Sequence, residues 1–422
     1  MKILLTNHHL LDYSGSEIFT LTLADFLTRK GHKVIVFSRY IDKMLKDFKK
    51  IDVQIVKDLE IIKKEKFDIA HVHHNINAIK VRHYFPRLPI IFLSHGIIPF
   101  LEQPPIMDLH ISKYLAVSEE VKRNLIDNHK INAEKIEIFR NIVDVKRFFP
   151  LKKIKDHPQK ALIISTRIDT EKEKIIRKTL ESLNIKYKFI GGRFGWVTYD
   201  RLPNYLNQAD IVFSLGRGAI EAMMSGTIPI VYDYLGGDGM VTPENIGEIM
   251  KNNFSGRRYH IDFTVKSLTQ EIKKYKKENG EILKKMAVNY FGAQKRIKDM
   301  INIYKEFKSS KVLPISKDTK IRVNFIIKSI DETRLYDFEN INRYMVRKYK
   351  KTSRIMAEKN NVQYGIKDLI LLKIRKKISH FKEVFRKIVE LDSIYLLFIL
   401  ITFFLDFLKI FSTIDPSNIF IY

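Results

Sequence analysis

The sequence predicts an α/β protein: two doubly wound, parallel-sheet domains in series, followed by a basic, largely helical extension. Three observations carry this. Short apolar runs alternate with amphipathic stretches through the first 150 residues. The pattern lapses in a polar, proline-containing stretch, from Phe149-Pro150-Leu151-Lys152-Lys153 to His157-Pro158, and then resumes. Beyond about residue 310 basic side chains dominate, with 21 basic against 9 acidic between 311 and 390. Alternating strands and helices imply a parallel sheet with helical crossovers. The expected domains are therefore 1–150, 156–309 and 310–422.

In the first domain the expected strands are 2–6, 33–37, 53–55, 67–73, 90–93 and 114–117. Between the first two, apolar positions 18, 19, 21, 23, 26 and 27 suit a helix packed on a sheet, and Gly31-His32 ends it. The second series reads as strand 161–165, helix 171–183, strands 187–190 and 211–214, helix 219–224 and strand 228–232. Helical patterns at 265–277 and 282–307 close it.

With 45% apolar residues in 422, full cores can be buried. The absence of cysteine excludes disulfides and thiolate metal sites. The first apolar run is too short for a signal peptide and reads as a strand. A net charge of +27 favours anionic partners, whether nucleic acid, anionic lipid or phosphorylated substrates. A lysine-, isoleucine- and asparagine-rich composition accounts for part of that charge without any partner. No nucleic-acid motif accompanies it.

In the extension, Leu371, Ile374, Ile378, Phe381, Phe385 and Ile388 form a helical apolar seam flanked by lysine and arginine. An apolar segment follows at 394–411, interrupted by Asp406 and Lys409. A span needs roughly 20 predominantly apolar residues. A membrane-surface anchor with a basic flank fits better than a crossing, and packing against protein is the alternative.

The stretch Ser214 to Gly226, SLGRGAIEAMMSG, carries the chemistry. A buried strand ends at Ser214, Gly216-Arg217-Gly218 turns, and a helix begins. Ligands of α/β sheets bind at such corners. The glycines let a phosphate approach the backbone amides of the first helical turn. Arg217 could add positive charge, and Glu221 could accept hydrogen bonds from two ribose hydroxyls. A glutamate near a helix start is also favoured by the helix dipole alone.

The run Glu221-Ala222-Met223-Met224-Ser225-Gly226-Thr227-Ile228-Pro229 resembles the hallmark of the retaining family 4 (group 1) glycosyltransferases, which share the two-Rossmann-domain glycosyltransferase-B fold. Further fragments follow in the family's order: Ser14-Gly15-Ser16-Glu17, Ser94-His95-Gly96, Val117-Ser118, Asn141-Ile142-Val143-Asp144 and Thr166-Arg167-Ile168-Asp169-Thr170-Glu171-Lys172. Together they cover residues 1 to 307. The resemblance implies two Rossmann-like domains facing across a cleft. It implies that Glu221 binds the donor ribose, and that Arg167 and Lys172 bind the donor diphosphate and stabilise its departing charge. Gly15 and Ser16 would offer backbone N–H groups to the same diphosphate, and His95 would sit near the anomeric carbon. Gly216 and Gly218 would complete the nucleotide corner.

The implied reaction moves a sugar from a nucleotide-diphosphate donor to a glycan or lipid-linked acceptor with retention. Cell-envelope polysaccharide or lipopolysaccharide assembly, at the inner face of the membrane, is the expected setting. Fixed cations aimed at the leaving diphosphate lower the barrier. No metal or cofactor is then expected, and no Asp-x-Asp loop is seen. The sequence departs from the family at Phe213, where a second glutamate often stands. Donor-sugar recognition would then fall to Gly236-Gly237-Asp238 or to Arg217. His71 and His73, on one face of a strand, fit a metal, a cleft lining or plain packing. Two other functions stay open: a nucleotide-sugar epimerase of the same fold, and a non-catalytic basic protein binding membrane or nucleic acid.

Overall fold

The computed structural model describes residues 1–234 and 236–333. The seam at 371–388 and the apolar segment at 394–411 lie outside them. The first sheet is built from β1 (Lys2–Thr6), β3 (Lys33–Phe37), β5 (Gln54–Val56), β6 (Ile69–His73), β7 (Ile90–Ser94), β8 (Lys113–Ala116) and β9 (Ile136–Ile138). Its order is β5-β3-β1-β6-β7-β8-β9, parallel throughout. Two short strands, β2 (His9–Leu10) and β4 (Tyr40–Ile41), pair separately. β6 and β7 are buried along their whole length, as strands covered by helices on both faces must be.

The second sheet holds β10 (Lys160–Ile164), β11 (Lys186–Ile190), β12 (Ile211–Phe213), β13 (Ile228–Asp233) and β14 (Gly236–Met240). Its order is β11-β10-β12-β13-β14, with β14 an antiparallel edge. Helices α1 (Gly15–Arg29), α2 (Leu45–Lys50), α3 (Asn75–Tyr84) and α4 (Glu119–Asp127) serve the first sheet. Helices α5 (Thr170–Ser182), α6 (Leu202–Gln208), α7 (Arg217–Met224), α8 (Ile246–Met250), α9 (Val265–Ile272) and α10 (Lys277–Phe291) serve the second. Both sheets belong to one compact unit, Met1–Val323.

The stretch expected as one helix over 282–307 is broken at Gly292 into α10 and α11 (Ala293–Phe307). The backbone of Val143 enters the break: its N–H donates to Phe291 O at 2.8 Å, and Ala293 N–H donates to Val143 O at 2.9 Å. α11 then returns to the first domain, where it packs on α1 and sets the Tyr304 hydroxyl 2.8 Å from His71 Nδ1. The chain thus crosses between the domains twice. The expected linker is pinned at the first crossing. Asn207 Oδ1 accepts from Leu151 N, and Asp210 accepts from Lys152 Nζ, Gln159 N and Lys160 N. α12 (Lys317–Thr333) is the last described element.

Candidate active site

The first domain brings three loops to the carboxyl ends of its strands. After β1, residues 11–14 fold around the buried carboxylate of Glu17. That group accepts from Ser14 N at 2.8 Å, Leu11 N at 3.0 Å and Asp12 N at 3.2 Å. Burial pushes Glu17 up to about 7, and the backbone N–H groups partly oppose this. The carboxylate fixes the entry into α1, whose first residue is Gly15. A Cβ placed on Gly15 would meet nothing within 4 Å, so this helix start opens on free space, while Ser16 is buried.

Beside it lies a set of imidazoles, His8, His71, His73 and His74 buried and His95 half-buried. His73 Nδ1 and His95 Nε2 are 2.7 Å apart, with their rings stacked at 4.8 Å and Phe19 edge-on to His95 at 5.2 Å. One ring donates and the other accepts. Burial lowers His71 and His95 to about 3, and the Arg217 charge adds to the effect on His95. His8, His73 and His74 are also held well below the usual histidine range by burial. These rings are neutral at pH 7. Among the described residues no group of three histidine or acidic side chains is placed to hold a metal ion.

In the second domain, Ser165 ends β10 and shapes the next turn. Its Oγ donates to Asp233 Oδ1 at 2.6 Å and accepts from Arg167 N and Ile168 N. Gly191, with φ +93°, packs on Ser165; a Cβ there would lie 2.6 Å from Ser165 O. The turn leaves Arg167 exposed, its Nη1 3.3 Å from the Tyr234 hydroxyl. Lys172 stands in the first turn of α5, its Nζ 3.5 Å from Asp169 and 3.8 Å from Asp262. Arg167 and Lys172 make no hydrogen bond or ion pair in common among the described residues.

The corner after β12 is the most enclosed. Gly216 caps α7 with φ +54°, and its N–H donates to Phe254 O at 2.8 Å. The helix begins at Arg217, two residues before the expected start. A Cβ on Gly218 would strike Ser214 Oγ. Arg217 Nε donates to Glu221 Oε1 at 2.7 Å, Nη1 to Ile142 O at 2.7 Å, and Nη2 to the Tyr199 hydroxyl at 2.9 Å and to Thr22 Oγ1 at 3.4 Å. One guanidinium therefore joins α7 to α1 and to the backbone at Ile142. Burial raises Glu221 above the usual carboxylate range, and Arg217 partly opposes this.

Asp238 is engaged elsewhere: it accepts from Gly256 N at 3.1 Å and Tyr259 N at 2.7 Å, which fixes the 256–259 loop. Phe213 is fully buried in β12. The loops of the two domains meet directly. Arg257 bonds Glu120 at 2.5 and 2.9 Å, Glu120 N donates to Lys251 O at 3.0 Å, and Asn141 donates to Asn253 at 2.9 Å.

Residues 13–147 match the sequence profile of Glycosyltransferase Family 4. The N-terminal domain belongs to glycosyltransferase family 4. Around that family 4 domain, the chain has the glycosyltransferase-B fold. It is similar to a glycosyltransferase from Rickettsia africae at 19% identity and TM-score 0.54, over 74% of this chain and 99% of that one. It is also similar to HepE of Anabaena, solved in complex with UDP-glucose, at 12% identity and TM-score 0.53, over 72% of this chain and 100% of that one. At these identities the likeness is one of fold. No curated protein matches the chain by sequence.

One residue at the junction of the family 4 domain with its partner has no counterpart among the sequence expectations. Glu102 follows His95-Gly96 by less than two helical turns of chain, and its Oε2 fills the space that a Cβ on Gly96 would take. Burial pushes it up to about 7, and the charges of Arg167 and Arg257 from the second domain partly oppose this. A lone acid in the apolar run Ile97-Ile98-Pro99-Phe100-Leu101-Glu102 was the signal in the sequence. Thr22 and Tyr199, the further partners of Arg217, carried none.

Proposed function

We propose that this chain is a retaining glycosyltransferase that moves a sugar from a nucleotide-diphosphate donor to a glycan or lipid-linked acceptor. The reading is supported above all by Arg217, which joins the Glu221 corner of the second sheet to Thr22 in the helix that Gly15 begins, within a first domain that matches family 4. In this reading Glu221 receives the donor ribose, with Arg217 holding its carboxylate. The amides of Gly15 and Ser16 bind the diphosphate together with Arg167 and Lys172. A leaving diphosphate gains charge in the transition state, so fixed cations and amides there lower the barrier. His95, held neutral, is available as a hydrogen-bond partner for sugar hydroxyls rather than as a fixed charge.

The setting proposed is cell-envelope glycan assembly on the inner face of the membrane, with the basic C-terminal region resting on anionic lipid. Among the described residues no helix is long and apolar enough to cross a membrane. Thermal shift against nucleotide diphosphates and their sugars tests the donor. A ligand at about 100 times its Kd adds roughly 2.7 kcal/mol. No shift with any nucleotide would overturn the reading.

A further inference from the structure

The carboxylates buried in the compact unit have protein partners. Glu17 accepts three backbone N–H groups, Asp210 accepts from Lys152 and two amides, and Asp233 accepts from Ser165. Asp238 accepts from two amides, and Glu221 accepts from Arg217. Glu102 is different. Among the described residues its side chain makes no hydrogen bond and no ion pair.

Its place is nonetheless fixed. Glu102 N donates to Pro99 O at 3.0 Å, and Glu102 O accepts from Ser94 Oγ at 2.8 Å. The next residue, Gln103, donates to Gly96 O and Pro99 O and is itself held by Asn124 and His129. The backbone of this loop is therefore ordered, and the carboxylate is carried to one spot beside Gly96. Glu102 is half-buried, so its carboxylate is held by the loop yet open to a ligand, and hydroxyl donors would give it the partners it lacks. Burial without compensation is also why Glu102 resists ionisation until about pH 7.

We propose that Glu102 binds hydroxyl groups of the donor sugar. This rests on the nucleotide-sugar reading above. The carboxylate comes from the family 4 domain, in the space beside Gly96 of the His95-Gly96 step, and it feels the charge of Arg167 from the second domain. If Arg167 holds the diphosphate, the sugar attached to it falls between them. On the second domain, Phe213 is apolar and buried in its strand, and Asp238 is spent on the 256–259 loop. Glu102 thus supplies the acceptor groups that this side lacks.

The test compares each nucleotide diphosphate with its sugar conjugate by titration calorimetry: UDP with UDP-glucose, GDP with GDP-mannose, ADP with ADP-glucose and dTDP with dTDP-glucose. The parent is expected to bind the sugar form of one pair more tightly than its diphosphate. Glu102→Gln and Glu102→Ala should leave the diphosphate Kd within twofold and raise the sugar Kd at least tenfold. Glu102→Gln keeps shape and volume, so loss of folding does not mimic the result. Equal changes for both ligands, or no change for either, overturn the assignment to sugar. A parent that binds a diphosphate and its sugar alike overturns it too, while leaving the nucleotide reading standing. A parent that binds no nucleotide at all overturns both.

Discussion

Arg217 Nε lies 2.7 Å from Glu221 Oε1, and the two side chains are only 5% and 3% exposed. Breaking a buried pair by removing one partner typically costs about 3–5 kcal/mol, because the remaining charge is stranded. Arg217→Met is expected to lose stability on that scale in urea titrations. The double variant Arg217→Met with Glu221→Leu should recover a large part of it. Equal losses in the single and double variants would show that the contacts with Ile142 and Thr22, and not the charge pair, carry the cost.

The buried imidazoles set the acid response. A histidine with a depressed folded pKa lets the unfolded chain bind protons first. Its contribution is present above the unfolded value of 6.5 and is lost as pH falls toward the folded value. Glu17 and Glu102, raised from 4.5 to about 7, act in the opposite sense: stability rises as pH falls from 7 toward 4.5. The two sets oppose each other in that interval, and below 4.5 the histidines are joined by carboxylates held low by their partners, such as Asp210 with Lys152 and two amides. Stability should fall steeply between pH 4.5 and 3, by about 2 kcal/mol for each of His71 and His95. Urea titrations at pH 7, 4.5 and 3.5 check this; a flat profile down to 3.5 would refute it.

The helix break at Gly292 shows where sequence reading stops. The periodicity of 282–307 is unbroken, so a single helix is the natural expectation, and what interrupts it is the Val143 backbone, far away along the chain. A Cβ on Gly292 would lie 2.5 Å from Val288 O. In a continuous helix, glycine to alanine gains up to about 1 kcal/mol. Here Gly292→Ala is expected to lose about 1–3 kcal/mol through overpacking. A higher melting temperature for this variant would mean that the break tolerates a side chain.

The same distinction runs through the rest of the molecule. The central strands were legible because parallel strands buried on both faces must be apolar runs, and the corner at Gly216 because a strand, glycines and a helix succeed one another. β14 was not, since Gly236-Gly237-Asp238-Gly239-Met240 has no strand pattern and is a strand only through its pairing with β13. β2 and β4 are too short for any period. At the site, the residue types at Gly15, His95, Arg167 and Glu221 were visible as motif fragments. The partners of Arg217 and the isolation of Glu102 are properties of three-dimensional packing.

Arg82 offers a control outside the site. It is 1% exposed and donates to five carbonyls, those of Phe85, Pro86, Leu88, Leu109 and His110. Burial lowers it to about 10, so it remains a cation at pH 7. Arg82→Met would leave these carbonyls bare, at a cost of about 3–5 kcal/mol. Nucleotide affinity of the folded fraction should not move. A change in affinity without a change in stability would place Arg82 in the site after all.

Arg167 and Lys172 are predicted to differ in what they contribute to turnover. Arg167 is exposed at the strand end, its side chain meets, among the described residues, the Tyr234 hydroxyl and ring at 3.3 and 5.6 Å, and its charge opposes the rise of the Glu102 pKa. Its charge is available to a leaving diphosphate. Lys172 sits within 4 Å of both Asp169 and Asp262, which already balance its charge. Losing a fixed group that stabilises transition-state charge costs about 10²–10³ in kcat. Arg167→Ala should fall in that range with little change in the donor KM. Lys172→Ala should cost about tenfold or less, since the field it adds at the diphosphate is reduced by its two carboxylates. Steady-state kinetics on the cognate donor decide the order. If Lys172→Ala is the more damaged variant, the lysine must leave its carboxylates when donor binds, and Asp262→Asn should then raise donor affinity.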